Sequence, residues 1–188
     1  PSYVDYRPIS LLSIISKLFE KLILNKLKKQ LLNNYGHLQF GFCPGESSTS
    51  PILWILNKAT DILDNWRQES TIISLDFSKA FDKVSHSILL NKLIKMQLPN
   101  WFIKWLASYL TNRSQSTRIK NTISQEQEVL SGVAQGSILG PYLFALFISD
   151  LHTNKDSNAL AKYADDCYII CQNAKTDNAQ TNIDAEML

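Results

Sequence analysis

Apolar residues recur at helical spacing through the first third of the chain, then give way to a strand-like run near residue 70. Ile9 to Leu32 is rich in Leu and Ile, with Leu11, Ile15, Leu18 and Leu22 aligned along a helix and Lys26, Lys28 and Lys29 near its end, where cations suit the helix dipole. The stretch 39–45, Gln-Phe-Gly-Phe-Cys-Pro-Gly, breaks this pattern and predicts a loop. A second helix is predicted from Ser50 as N-cap and Pro51 as first residue, with Ile52, Ile55, Leu56, Ala59, Ile62, Leu63 and Trp66 on one face. Thr71 to Phe77 is strand-forming, with Asp76 near its end. Ser87–Met96 and Asn100–Leu110 predict helices parted by Pro99, and 115–120 and 124–130 alternate around Asn121-Thr122 as an exposed hairpin. Ser131 to Gly136 predicts a loop, and Leu139–Leu151 a helix. Leu160–Tyr163 and Cys167–Cys171 flank Ala164-Asp165-Asp166 so closely that a tight β-hairpin with both carboxylates at its tip is expected. Strands and helices mix without strict alternation, which predicts an α+β fold.

Composition narrows this picture only modestly. With 188 residues and 45% hydrophobic content, the chain can bury a substantial core. The net charge of +2 is small, but its distribution is uneven. Residues 1–120 hold 16 Lys/Arg against 8 Asp/Glu, and residues 121–188 hold 3 against 9. A basic first part suits a polyanion and an acidic second part suits cations, an uneven solvated surface being the plain alternative. Cys43, Cys167 and Cys171 are too few and irregular for a disulfide framework or zinc site, and a reducing compartment, cytosol or nucleus, is the default. No apolar run is long enough to span a membrane and no signal peptide is visible. The chain starts at Pro1 and stops at Leu188 in what reads as the start of a helix, so a fragment is expected.

Asp165-Asp166 carries the candidate chemistry. Like charges about 4 Å apart cost roughly 4 kcal/mol at an effective dielectric near 20, so such a pair retains a proton or takes a cation. With 11 Asp in the chain, about 0.6 such pairs arise by chance, so the pair means little without a third carboxylate. Asp76, at the end of another predicted strand, supplies one. Three carboxylates at one sheet rim suit two Mg²⁺ ions placed for phosphoryl transfer.

Leu75-Asp-Phe-Ser-Lys-Ala-Phe-Asp-Lys-Val-Ser-His86, Ser131-Gly-Val-Ala-Gln-Gly-Ser-Ile-Leu-Gly-Pro141 and Tyr163-Ala-Asp-Asp166 stand in the order and spacing of a reverse transcriptase. The chain resembles the polymerase domain of non-LTR (LINE-like, jockey-type) retrotransposons, and Tyr6-Arg-Pro-Ile-Ser-Leu-Leu12 and Gln39-Phe-Gly-Phe42 resemble the finger region of the same family. The resemblance implies a right-hand palm with an antiparallel sheet plus largely helical fingers, truncated before the thumb: fingers over 1–70, palm over 71–188. It also implies RNA-directed DNA polymerisation, a nucleotidyl transfer to a primer 3′-hydroxyl on an RNA template, using deoxynucleoside triphosphates and two Mg²⁺ ions, with Mn²⁺ as a substitute. Asp76, Asp165 and Asp166 would be the catalytic, metal-holding carboxylates, with the Phe77 carbonyl as a further ligand. Phe81 would be the steric gate against a 2′-hydroxyl, and Gln135 and Gly136 the loop beside the nucleotide. Arg7 is a candidate contact to template or triphosphate, helix-start packing beside Pro8 being the alternative.

Two positions depart from the family pattern. Cys43 stands where Arg is usual, and Ala134 where Pro is usual. Both bear on a second reading, an inactive retroelement remnant that at most binds nucleic acid. A third, a group II intron-type enzyme, would need a downstream maturase region. A longer polyprotein with endonuclease and thumb, acting in a ribonucleoprotein of cytoplasm and nucleus, is the expected setting.

Overall fold

The computed structural model describes residues 9–65 and 69–173; Arg7, Trp66 and the helix expected at the far end lie outside them. The described residues form two compact units, each built from separate stretches: 9–34 with 79–147, and 35–65 and 69–78 with 148–173. Among the described residues, no helix is long and apolar enough to cross a membrane.

The first unit begins with α1 (Ile14–Asn33), capped by Ser13, whose hydroxyl accepts from the Ser16 amide. The helix starts later than its apolar pattern suggests, and the residues aligned by that pattern are not the ones it buries. Leu11 precedes it, and Ile15, Leu18 and Leu22 are exposed, while Glu20, Ile23, Leu24, Leu27 and Leu31 are buried. Leu and Ile occupy most of the circumference, so periodicity alone cannot choose the buried side. A short 3-10 helix (Ala80–Lys83) leads into α3 (His86–Lys95, capped by Ser85) and α4 (Asn100–Leu110). Leu89, Leu93, Phe102, Leu106 and Leu110 fill the core here.

An exposed two-step ribbon follows α4. It pairs β2 (Ser114–Gln115) with β5 (Gln127–Glu128), and β3 (Arg118–Ile119) with β4 (Thr122–Ile123). It reverses at Lys120-Asn121 rather than at Asn121-Thr122, with Lys120 in the left-handed region (φ 52°). The unit ends with α5 (Gly140–Phe147), shorter than its apolar run predicts.

The second unit is a three-stranded antiparallel sheet in the order β1 (Glu69–Asp76), β7 (Asp166–Asn173), β6 (Ala159–Tyr163). The helix α2 (Thr49–Asn65) covers one face, where Ile55 and Ile62 pack on Ala161 and Ile170. Its start is Thr49, not Ser50: the Ser47 hydroxyl accepts from the Thr49 amide and so takes the capping role. Ile52, Leu56 and Leu63 are exposed, so the buried face is the narrower line through Ile55 and Ile62. Leu160, Cys167, Ile169 and Cys171 pack on the opposite face, with both cysteines as small buried hydrophobes. Burial pushes the Cys167 thiol up to about 11, and the nearby Asp166 and Asp165 charges add to the rise.

Candidate active site

Two of the predicted acids stand opposite each other on the sheet of the second unit, and the third adjoins them in the turn. Asp76, last residue of β1, lies in register opposite Asp166, first residue of β7, and Asp166 is in turn opposite Tyr163 of β6. Directly opposed residues of antiparallel strands share a face, with Cβ atoms about 4.5–5.5 Å apart. Asp166 therefore starts a strand rather than forming the hairpin tip. The tip is the two-residue turn Ala164-Asp165, in which Ala164 has φ 56°. A positive φ at the first turn residue only is the type II′ pattern, a position that favours Gly.

Asp76, Phe77 and Asp166 are exposed and Asp165 is half-buried. Among the described residues no three acidic, His or Cys side chains converge as a ready-made ion cage. The chemistry of the set nonetheless suits a hard divalent cation, which takes one or two carboxylates together with substrate phosphates. The backbone supplies the cross-strand positions, and exposed carboxylates can turn towards an ion.

Two further contacts hold this hairpin. Residues 38–40 lie along the free edge of β6, with Phe40 N donating to Lys162 O (2.9 Å) and Lys162 N to Leu38 O (2.8 Å). The next residue, Gly41, meets the turn so closely that a Cβ there would lie 2.4 Å from the Ala164 nitrogen. Lys162 itself is almost wholly buried, and its ammonium donates to the carbonyls of Ile148, Ser149 and Leu151 at 3.1–3.4 Å. Cys43 is half-buried and donates its thiol to Gln39 O (3.0 Å); burial, then the Glu46 charge, push its pKa up. It is neutral where the family pattern has a cation.

Phe81, Gln135 and Gly136 lie in the first unit. Phe81 sits on the 3-10 helix that follows Lys79 (φ 56°) and stacks on Phe144 of α5, centroids 4.6 Å apart at 27°. The loop 131–136 is laid along this helix. Val133 N donates to Phe81 O, Gly132 N to Val84 O, and His86 Nε2 to Gly132 O, all at 2.8 Å. Gln135 Nε2 donates to Asp82 Oδ1 (3.2 Å). Gly136 has φ 110°, and a Cβ there would meet Ser10 O at 3.0 Å, so glycine is required twice over. The loop is thus held by hydrogen bonds although Ala134 lacks proline's fixed φ.

Glu20, Gly41, Phe144 and Lys162 escaped the sequence reading. For Lys162 the available signal was a charged residue inside the apolar run of β6; Glu20, between Lys17 and Lys21 on α1, carried no such signal.

Comparison with known proteins agrees with the motifs. The family profile "Reverse transcriptase (RNA-dependent DNA polymerase)" matches residues 2–186. The chain is 35% identical over 178 residues to the probable RNA-directed DNA polymerase from transposon BS of Drosophila melanogaster, covering 88% of this chain and 19% of that protein. It is 31% identical over 199 residues to the RNA-directed DNA polymerase from mobile element jockey of the same fly, covering 98% of this chain and 22% of that protein. It therefore spans about a fifth of the length of these relatives. Among solved structures, apo telomerase from Candida tropicalis superposes with a TM-score of 0.57 at 15% identity, over 92% of this chain and 36% of that one, a likeness of fold alone. Ordered motifs, an α+β fold with an antiparallel sheet, and a profile match across nearly the whole length agree: the chain belongs to the reverse transcriptase family.

Proposed function

We propose that the chain is the nucleotidyl-transfer region of an RNA-directed DNA polymerase of a jockey-like non-LTR retrotransposon, extending a DNA primer on an RNA template with deoxynucleoside triphosphates. The observation that carries this reading is the register of Asp76 against Asp166, with Asp165 adjoining, in a chain of this family. Asp76, Asp165 and Asp166, with the Phe77 carbonyl, would hold the Mg²⁺ ions. When bound, two such ions lower the charge barrier to in-line attack at the α-phosphate. The chain's own contribution is placement. The β1–β7 ladder fixes the spacing of two carboxylates, and the tight turn fixes the third. The ring of Phe81, backed by Phe144, is suited to exclude a 2′-hydroxyl, and the Gln135-Gly136 backbone lets a nucleotide approach closely. Primer, template and any endonuclease or thumb are contacts of the longer protein, acting in a ribonucleoprotein of cytoplasm and nucleus.

The test is Asp165→Asn in the full polymerase. Primer extension on an RNA template falls below detection, while thermal stability holds or rises slightly as one like charge is removed. Undiminished extension would show that these carboxylates are not the reaction centre. A second reading, an inactive remnant that binds nucleic acid, draws on Cys43 and Ala134. It predicts no extension by the parent chain and unchanged template affinity.

A further inference from the structure

The first unit contains a fully buried carboxylate that the polymerase reading does not use. Glu20 of α1 is 0% exposed. Its Oε2 accepts from the amides of Ile138 (2.8 Å) and Leu139 (3.1 Å), and its Oε1 from the Tyr109 hydroxyl (2.9 Å) and the Ser16 hydroxyl (3.5 Å). All four donors are neutral. Burying a carboxylate is costly unless its hydrogen bonds are made, so a negative charge at this depth is there for the groups it holds. Those groups are the two amides that lead into α5, where the helix dipole also favours an anion.

Their place in the chain gives them consequence. Ile138 follows Gln135 by three residues, and the short path between them is stiff. Ser137 N donates to Ala134 O (3.1 Å), and Gly140 N donates to the Ser137 hydroxyl (2.7 Å). At the other end, Gln135 O accepts from Ser10 N (2.7 Å), and Gly136 rests against Ser10 O. The segment 135–139 is therefore held at both ends by α1 and the residues just before it, through Ser10 and Glu20.

We infer that Glu20 is a positioning residue for the nucleotide loop: by binding the Ile138 and Leu139 amides, its carboxylate sets where Gln135 and Gly136 stand. The inference rests on the reading of that loop as a nucleotide contact. Tyr109 is a bystander to it. Its phenol, pushed up to about 12 chiefly by burial and then by the Glu20 charge, stays protonated and donates to the oxygen that does not touch the loop.

The test compares Glu20→Ala, Glu20→Gln and Tyr109→Phe in the full polymerase, measuring melting temperature, primer–template Kd, and kcat and KM for deoxynucleotides. Losing charge-assisted bonds to two amides predicts an increase of about tenfold or more in KM for Glu20→Ala, with kcat and primer–template Kd changed by less than about twofold. Gln keeps an oxygen for both amides and can donate to Tyr109 instead, so Glu20→Gln restores KM to within about threefold of the parent. Tyr109→Phe lowers the melting temperature but leaves KM alone. If Glu20→Ala does not fold, Glu20→Asp, one methylene short, supplies the same comparison. An unchanged KM in Glu20→Ala (or in Glu20→Asp where it stands in) overturns the inference, as does a matching rise in primer–template Kd, the mark of a merely structural role. Gln135→Ala separates the two claims. If it leaves KM unchanged, the reading of the loop fails; if it raises KM while the Glu20 variants do not, the Glu20 inference fails.

Discussion

Gly41→Ala puts the support of the Ala164-Asp165 turn to a quantitative test. The added methyl would lie 2.4 Å from Ala164 N and 3.2 Å from its Cα, where ordinary contacts run from 3.4 to 4 Å. Backbone must therefore yield by about 1 Å, on one side or the other. If the 38–40 segment retreats, its two bonds to Lys162, at 2.8 and 2.9 Å, stretch beyond hydrogen-bonding range. Each contributes about 0.5–1.5 kcal/mol net, and overpacking strain adds about 1–3 kcal/mol, so a loss of roughly 2–6 kcal/mol is expected. If the turn yields instead, Asp165 moves with Ala164 and extension drops even in folded protein. Urea denaturation midpoints and single-nucleotide extension rates, read together in the full polymerase, show which side yields. Gly45→Ala is the control. Gly45 has φ +85° but nothing within 4 Å of an added Cβ, so it loses only the conformational ease of glycine, about 1 kcal/mol, and keeps its extension rate. A Gly41→Ala protein with parental midpoint and rate would refute the argument that this glycine is required by contact.

Two further expectations follow from charge. Cys43→Arg restores a fixed cation beside the 39–42 segment, in place of a neutral thiol whose pKa burial raises. It should increase kcat/KM for deoxynucleotides by about tenfold to hundredfold, less at high salt, and identical kinetics for parent and variant would show that another cation serves the triphosphate. Tyr109 titrates near 10 when unfolded but at about 12 in the fold, so the folded state favours its protonated form. Its contribution is complete below pH 10 and is lost as pH rises from 10 to 12, so the melting temperature should fall more steeply over that window in the parent than in Tyr109→Phe.

Features governed by neighbours in sequence were readable without the structure. The helix Asn100–Leu110 stands where Pro99 and its apolar spacing put it, and the strand-forming run near residue 70 becomes β1, with Asp76 at its end. What could not be read depends on partners far along the chain. On α1, the choice of buried face is made by what packs on Glu20, Ile23, Leu27 and Leu31, and a run with Leu or Ile on nearly every side does not encode it. The ending of α5 at Phe147 is another case: the carbonyls of Ile148, Ser149 and Leu151 turn to the ammonium of Lys162, a residue of a later strand. The same holds within the site. The sequence put the acids at strand ends, but that Asp166 belongs to the ladder and only Asp165 to the turn follows from the register of three strands at once.

The order of that sheet also bears on how the protein is made. Among the described residues strand β1 pairs with β7 alone, and Asp76 precedes its partner Asp166 by 90 residues. At a synthesis rate of about 5–20 residues per second, β1 leaves the ribosome roughly 5–20 s before its partner exists. During that interval its apolar residues Ile72, Ile73 and Leu75 and its backbone are open to mispairing, and contacts so far apart in sequence form slowly even once both strands are present. The arrangement that sets Asp76 opposite Asp166 therefore delays their sheet until β7 has been made, and leaves β1 open to chaperones through that interval.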